Sequence, residues 1–178
     1  FADLRGGVRT QSDPVEDQES LGEARLQLDA VRYGRNATLQ LRSDFLYDAV
    51  ADDRDIDLET GEGWIDLREA NVQVYPHPVM DLKVGRQILT WGTGDLLFIN
   101  DLFPKDWTSF FIGREEQYLK APSDAAFASF FPGGVNLDVV YTPRFDADRF
   151  IDGERVSYWN EGLGRRAGRD AVVETERP

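Results

Sequence analysis

The sequence contains no cysteine, which excludes disulfides and thiolate metal centres and leaves the redox compartment unread. It holds a single histidine, His77, which removes most histidine-based metal and acid–base sites. Nowhere does it carry about 18 consecutive apolar residues, the length a transmembrane helix requires. Basic runs are missing too. Against 33 Asp and Glu stand only 20 Lys and Arg, a net charge of -13, which argues against nucleic acid as a partner because phosphate binding needs a basic patch.

What is present is alternation. In "EARLQLDA", Ala24, Leu26, Leu28 and Ala30 interleave with Glu23, Arg25, Gln27 and Asp29. After "YGRN" the pattern resumes, with Ala37, Leu39, Leu41 and Phe45 against Thr38, Gln40, Arg42 and Asp44. "FADLRGGVR", "REANVQVY", "MDLKVGRQI" and "VNLDVVYT" repeat it, and "AAFASFF" does so less cleanly. Charges at every second position give each strand one apolar and one wet face. The expected fold class is all-β: an antiparallel up-and-down meander in one segment, 1–178, with strands near 1–10, 22–33, 37–48, 64–75, 80–90, 123–131 and 135–143. A mean hydropathy of -0.46 suits a soluble protein or a transmembrane β-barrel, whose strands need only ~9–11 alternating residues. The chain starts at Phe1 rather than methionine, so it is expected to be a mature or excised segment.

The connections alternate as well. "YGRN", "PHPV" and "PGG" are tight turns, with Gly34, Pro76, Pro78, Gly133 and Gly134 supplying the backbone angles. Between them lie "QSDPVEDQES", "DAVADDRDIDLETGEG", the stretch from Trp91 to Pro122, and everything after Phe145. Short periplasmic turns alternating with long extracellular loops are the layout of an outer-membrane barrel. Tyr33, Tyr47, Trp64, Tyr75, Trp91, Phe130, Phe131 and Tyr141 fall at or near strand ends, where a bilayer places aromatic girdles.

Residues 66–106, "DLREANVQVYPHPVMDLKVGRQILTWGTGDLLFINDLFPKD", carry a strand beginning "REA", a turn, then "LKVGRQ", "WG" and an Asp-rich loop with proline. In this the chain resembles porin-like outer-membrane barrels of Gram-negative bacteria, loosely the alginate-export and related group. "GREEQYLKAPSDA" and "LDVVYTPRFDADRF" extend the resemblance. It implies a transmembrane barrel and says little about cargo. Such barrels are longer and commonly end in a strand with a terminal aromatic residue, whereas this chain ends "VVETERP". The expectation is the N-terminal half of a barrel.

No catalytic pair is evident, and no cofactor is expected. Asp53, Asp55 and Asp57 have the 1, 3, 5 spacing of a calcium loop, but Leu58 stands where that loop needs glycine and no bidentate Glu follows. A solvated acidic loop is the better reading. "NAT" at Asn36 falls in a presumed periplasmic turn, His77 reads as turn chemistry, and "GTG" and "GLGRRAGR" do not lead from a strand into a helix. The expected function is therefore not enzymatic. It is passive passage of small hydrophilic solutes across a bacterial outer membrane, with lipid and solute as partners and a homo-oligomer as an option. Arg25, Gln27, Asp29, Gln40, Arg42, Asp44, Glu69, Gln73, Asp81, Lys83 and Asp138 would line the lumen.

"WGTGDLLFINDLFPKD" is too apolar to stay in water as an exposed patch. It is expected to fold into the barrel mouth as a constriction built from Trp91, Asp95, Phe98, Asp101, Phe103, Lys105 and Arg114; a contact between barrels is the alternative. Two other classes stay open. One is a barrel sleeve for a secretion or electron-transfer complex. The other is a soluble, lectin-like β-sandwich whose apolar faces meet each other.

Overall fold

The computed structural model describes residues 1–12, 16–50, 56–58, 61, 63–90, 103–151, 153 and 155–171. Seven strands form one antiparallel sheet: β1 (Ala2–Val8), β2 (Glu19–Tyr33), β3 (Ala37–Asp48), β4 (Ile65–His77), β5 (Met80–Gln87), β6 (Ser123–Phe130) and β7 (Leu137–Tyr141). Each pairs with its neighbours in sequence, so the sheet is a meander, as the alternation implies. It is not closed; β1 and β7 are its edges. A small hairpin, β8 (Tyr158–Asn160) and β9 (Arg165–Ala167), follows in the stretch expected to be loop throughout. Strand β4 runs through Pro76 to His77, so the turn to β5 is tighter than "PHPV" suggests.

Facing residues in neighbouring strands share a side of the sheet. Leu26 lies opposite Phe45, Leu41 opposite Ala70, Val72 opposite Val84, and Ala128 opposite Val139. One side of the sheet is thus apolar across its width. The other collects Gln27 opposite Asp44, Asp29 opposite Arg42, Gln40 opposite Asn71, and Ser129 opposite Asp138.

The polarity is the reverse of that in a water-soluble sheet. Leu4 is 82% exposed, Leu28 54%, Leu41 51% and Leu137 55%. Glu23, Arg25, Asp44, Asp66, Arg68 and Asn71 are buried, Asp44 completely. Among the described residues, fifteen polar or charged side chains are buried against eight hydrophobic ones. A soluble domain buries aliphatic side chains and almost never buries unpaired charge.

Two irregularities shape the polar side. Between Arg42–Glu69 and Ser43–Leu67 the register slips, leaving Arg68 as the extra residue of a β-bulge. The apolar phase moves from Ile65 and Leu67 to Ala70, Val72 and Val74, so the consecutive residues Arg68 and Glu69 both turn to the polar side, where both are buried. In β5, Gly85 has φ +118°. A Cβ there would stand 2.3 Å from the Ala70 carbonyl oxygen and 3.0 Å from the Asn71 Cα.

Those two contacts are with backbone, which cannot swing aside, and the φ value is one that L side chains rarely adopt. Gly85→Ala is therefore expected to destabilise the fold by ~1–3 kcal/mol, read as a lowered urea midpoint of the refolded protein. An unchanged midpoint would mean that β5 relaxes its pairing with β4 freely.

Candidate functional site

The candidate site is the polar side of the sheet, and its geometry depends on a segment placed against it. Residues 103–121 follow β5 in the chain and lie across β2, β3 and β4. They contain one short helix, α1 (Trp107–Phe111), and a 3-10 turn at Glu116–Tyr118. Asp106 caps α1, its carboxylate accepting from the Ser109 amide at 2.7 Å. Two backbone bonds close the base of the segment, from the Asp106 amide to Leu119 O and from the Ala121 amide to Pro104 O, both 2.9 Å.

Tyr118 is the centre of the contact and is only 2% exposed. The guanidinium of Arg25 lies 4.2 Å from its ring centre and that of Arg68 5.3 Å, both cation–π distances. Its hydroxyl accepts from the Gln27 amide at 3.1 Å. Arg68 also donates to Gln117 O at 2.7 Å and Lys120 O at 2.6 Å, so the bulged arginine holds the end of the turn. Burial, then the nearby Asp44 carboxylate, pushes the Tyr118 phenol up to about 12.

Charge compensation spreads outward from there. Arg25 donates to Asp44 at 2.6 Å and to Glu23 at 3.3 Å. Arg114, from the inserted segment, reaches the same Glu23 with two nitrogens and Ser109 Oγ at 2.9 Å. On the other flank Arg149 lies 3.4 Å from both Asp66 of β4 and Asp106 of the helix cap. Burial opposes the Arg149 charge, but Asp66 and Asp106 outweigh it and hold the guanidinium above its ordinary value. Backbone bonds fix Arg149 as well: its amide donates to Lys105 O at 2.8 Å, and its carbonyl accepts from the Trp107 amide at 2.9 Å.

The expected lumen-lining residues therefore separate into two groups. Arg25 and Asp44 are buried under the inserted segment rather than lining open water, with Gln27 at its margin. Their charges face Tyr118, Arg68 and Glu23, which fill the space solvent would take. Toward the short turns lies a second, more open group. Arg42 pairs with Asp29 at 2.7 Å and Glu69 at 3.3 Å; Gln40 donates to Glu69 at 2.6 Å; Lys83 lies 3.9 Å from Glu69. Gln73, opposite Lys83, and Asp81, opposite Ser129, continue this face, and Asp138 accepts from Ser129 Oγ at 2.6 Å.

Of the expected constriction residues, Trp91, Asp95, Phe98 and Asp101 lie outside the described residues. Phe103 is 1% exposed, its ring 5.5 Å from the Lys105 ammonium and 5.4 Å from that of Lys120. Arg114, expected as part of the constriction, is paired with Glu23 of β2. Asp53 and Asp55 also lie outside the described residues, while the Asp57 carbonyl accepts from the Gly61 amide at 2.8 Å. Among the described residues no group of three or more ligating side chains could hold a metal ion.

The sequence reading missed Asp66, Arg68, Asp106, Tyr118 and Arg149. The apolar phase slip between Leu67 and Ala70 is the signal that finds Arg68. Arg149 has no local signal, because its partners stand 43 and 83 positions away. Comparison with protein-family models, with curated proteins and with solved structures finds no match to this chain.

Removing Arg149 takes an ion-pair partner from each of two buried carboxylates, leaving Asp66 with Arg68 and Asp106 with the Ser109 amide. Arg149→Met is expected to cost ~3–5 kcal/mol and to expose the segment to trypsin at Lys105 and Lys120. Arg42→Gln, whose side chain is 28% exposed, should cost less than about 1 kcal/mol. Equal urea midpoints for the two variants would remove Arg149 from its role.

Tyr118 gives a pH test. An unfolded phenol ionises near its ordinary 10.0, the folded one near about 12. Its contribution to stability is thus complete below pH 10 and is lost as the pH rises from there through 12. Absorbance near 295 nm should show one late-titrating tyrosine, absent in Tyr118→Phe; a wild-type titration with no late phase would contradict the buried placement.

Proposed function

We propose that this sheet is part of a transmembrane β-barrel in a bacterial outer membrane, and that the barrel passes small hydrophilic solutes. One observation carries the reading: the apolar side of the sheet is exposed while the charged side is buried. In water this arrangement leaves Leu4, Leu26, Leu28, Leu39, Leu41, Leu137 and Val139 uncovered on one face, the kind of apolar surface that marks contact with a membrane or another protein. In lipid it is the favourable arrangement, since aliphatic side chains meet acyl chains and the polar side faces an aqueous interior.

Other features agree. β2, β3 and β4 have 15, 12 and 13 residues, enough to cross a hydrocarbon core that tilted strands span in ~9–11 residues. Tyr33 and Phe131 are exposed near the short-turn end, and Tyr47, Trp64 and Tyr141 near the other, as two interfacial girdles require. No helix among the described residues is long and apolar enough to cross a membrane, which bears on helices alone. Backbone groups at the edges of β1 and β7 cannot face lipid unpaired, so further strands must close the barrel.

The sandwich reading fares worse. Its apolar faces must meet, yet among the described residues the only other sheet is the three-residue pair β8–β9, and the apolar side remains exposed. The sleeve reading shares the barrel and differs in what fills it. Residues 103–121 already occupy part of the polar side, which supports a narrowed solute path over a wide sleeve.

Leu41→Arg should hinder assembly into lipid vesicles by ~2–4 kcal/mol near the bilayer midplane. Gln40→Arg should assemble normally, because position 40 already faces the Glu69 carboxylate. Equal assembly of the two variants would overturn the membrane reading. In planar bilayers the complete barrel should conduct ions, and excision of residues 107–118 should raise single-channel conductance. A barrel that inserts but stays silent even after the excision would favour the sleeve.

A further inference from the structure

On the apolar side of the sheet a hollow of about 520 Å³ runs across β2, β3, β4 and β5. Its size falls within the range that receives ligands. Two facing rows of side chains shape it. One row holds Ala30, Leu41 and Ala70, the other Arg32, Leu39, Val72 and Val84. Leu41 thus stands between two alanines, whose small side chains give the hollow its depth. Arg86, next in the first row, is committed to the Leu67 and Leu58 carbonyls.

The hollow has one charged end. Arg32 is the single charged residue that β2, β3 and β4 carry on this side of the sheet. It is exposed, and among the described residues its guanidinium has no hydrogen-bond or ion-pair partner. Arg35, in the tight turn that follows, is exposed and equally unpartnered. The carboxylates toward this end of the sheet, Asp29, Glu69, Asp81 and Asp138, all lie on the opposite side. In a chain of net charge -13, this corner is positive.

We propose that the hollow seats one anionic phospholipid, its phosphate on the Arg32 guanidinium and one acyl chain along Leu39, Leu41, Val72 and Val84. A planar guanidinium matches phosphate oxygens, and those aliphatic side chains match the tail. Arg32 stands two residues before Gly34, about 7 Å along the strand. It therefore lies near the interface, where a lipid-facing charge costs least. A second copy of the chain fits less well. It would press Arg32 against an apolar surface on which β2, β3 and β4 offer no carboxylate. The assignment rests on the barrel reading, in which the tight turns are periplasmic, and it adds that the barrel selects a lipid from the periplasmic leaflet.

The test is native mass spectrometry of the chain refolded in dodecyl maltoside micelles, with equal amounts of phosphatidylglycerol and phosphatidylcholine of identical acyl chains. One phosphatidylglycerol per chain should be retained, about tenfold in preference to phosphatidylcholine, since membrane-surface cations attract anionic lipid. Arg32→Gln should lower that preference about fivefold, and Arg32→Lys should keep most of it. Ala30→Phe, which fills the hollow from an exposed position, should reduce retention of both lipids severalfold. Equal retention of the two lipids overturns the proposal. So does unchanged retention in Ala30→Phe at a wild-type urea midpoint, which would leave headgroup attraction without a seated chain. Displacement of the lipid by millimolar inorganic phosphate would make this a plain oxyanion site and overturn it too, as would a lipid-free dimer that dissociates in Ala30→Phe. Vesicle insertion is scored separately. Protein that inserts but retains no phosphatidylglycerol removes this site and leaves the barrel. Protein that never inserts loses the barrel reading, and the assignment falls with it.

Discussion

Everything in this structure depends on neutralising charge that the sheet itself buries. Glu23, Arg25, Asp44, Asp66 and Arg68 project from three adjacent strands onto one covered surface, where an isolated ion would cost several kcal/mol. The strands alone do not balance them. Arg114, Arg149, Tyr118 and the Gln117 and Lys120 carbonyls complete the set. The inserted segment is thus held less by hydrophobic contact than by supplying partners to groups that would otherwise be stranded. Phe103, Leu119 and Ala121, all buried, give it a small apolar anchor.

The division of the polar face follows. At the end with long connections the charges are sealed into a dry network. At the end with tight turns Asp29, Arg42 and Lys83 stay in reach of solvent around the buried Glu69. The same residue types on the same strands have two physical characters, set by whether a covering segment reaches them. The dry part resists change because each deletion strands a partner. The wet part tolerates it because water replaces what is lost.

Much of the sheet was legible in sequence, because period two survives wherever one face is apolar throughout. Leu26 to Leu28, Leu39 to Leu41 and Leu137 to Val139 announce their strands with no knowledge of neighbours. Alternation could not say which face is covered, since covering is a long-range fact. Arg25 and Gln40 look equivalent in sequence, yet one is buried against Tyr118 and the other faces Glu69 in the open group. Arg68 left a trace, because a bulge must shift the apolar phase. Arg86 did not. Its side chain donates to Leu67 O at 2.6 Å and to Leu58 O, and it lies beside Gly85, whose unusual backbone no pattern of polarity encodes.

The distance along the chain between charge partners has a temporal meaning. Glu23 waits for Arg114, 91 positions later, and Asp66 for Arg149, 83 positions later. A chain emerging from its N-terminus presents β2 to β4 with Arg25 and Arg68 already beside Glu23, Asp44 and Asp66, but long before Arg114 and Arg149 exist to complete the balance. Those strands must therefore stay hydrated, or be held by a chaperone, until the sequence has passed Arg149. Contacts of such separation slow folding, and here they also set an order: the last partner to arrive completes the balance, and only then can the polar surface dry.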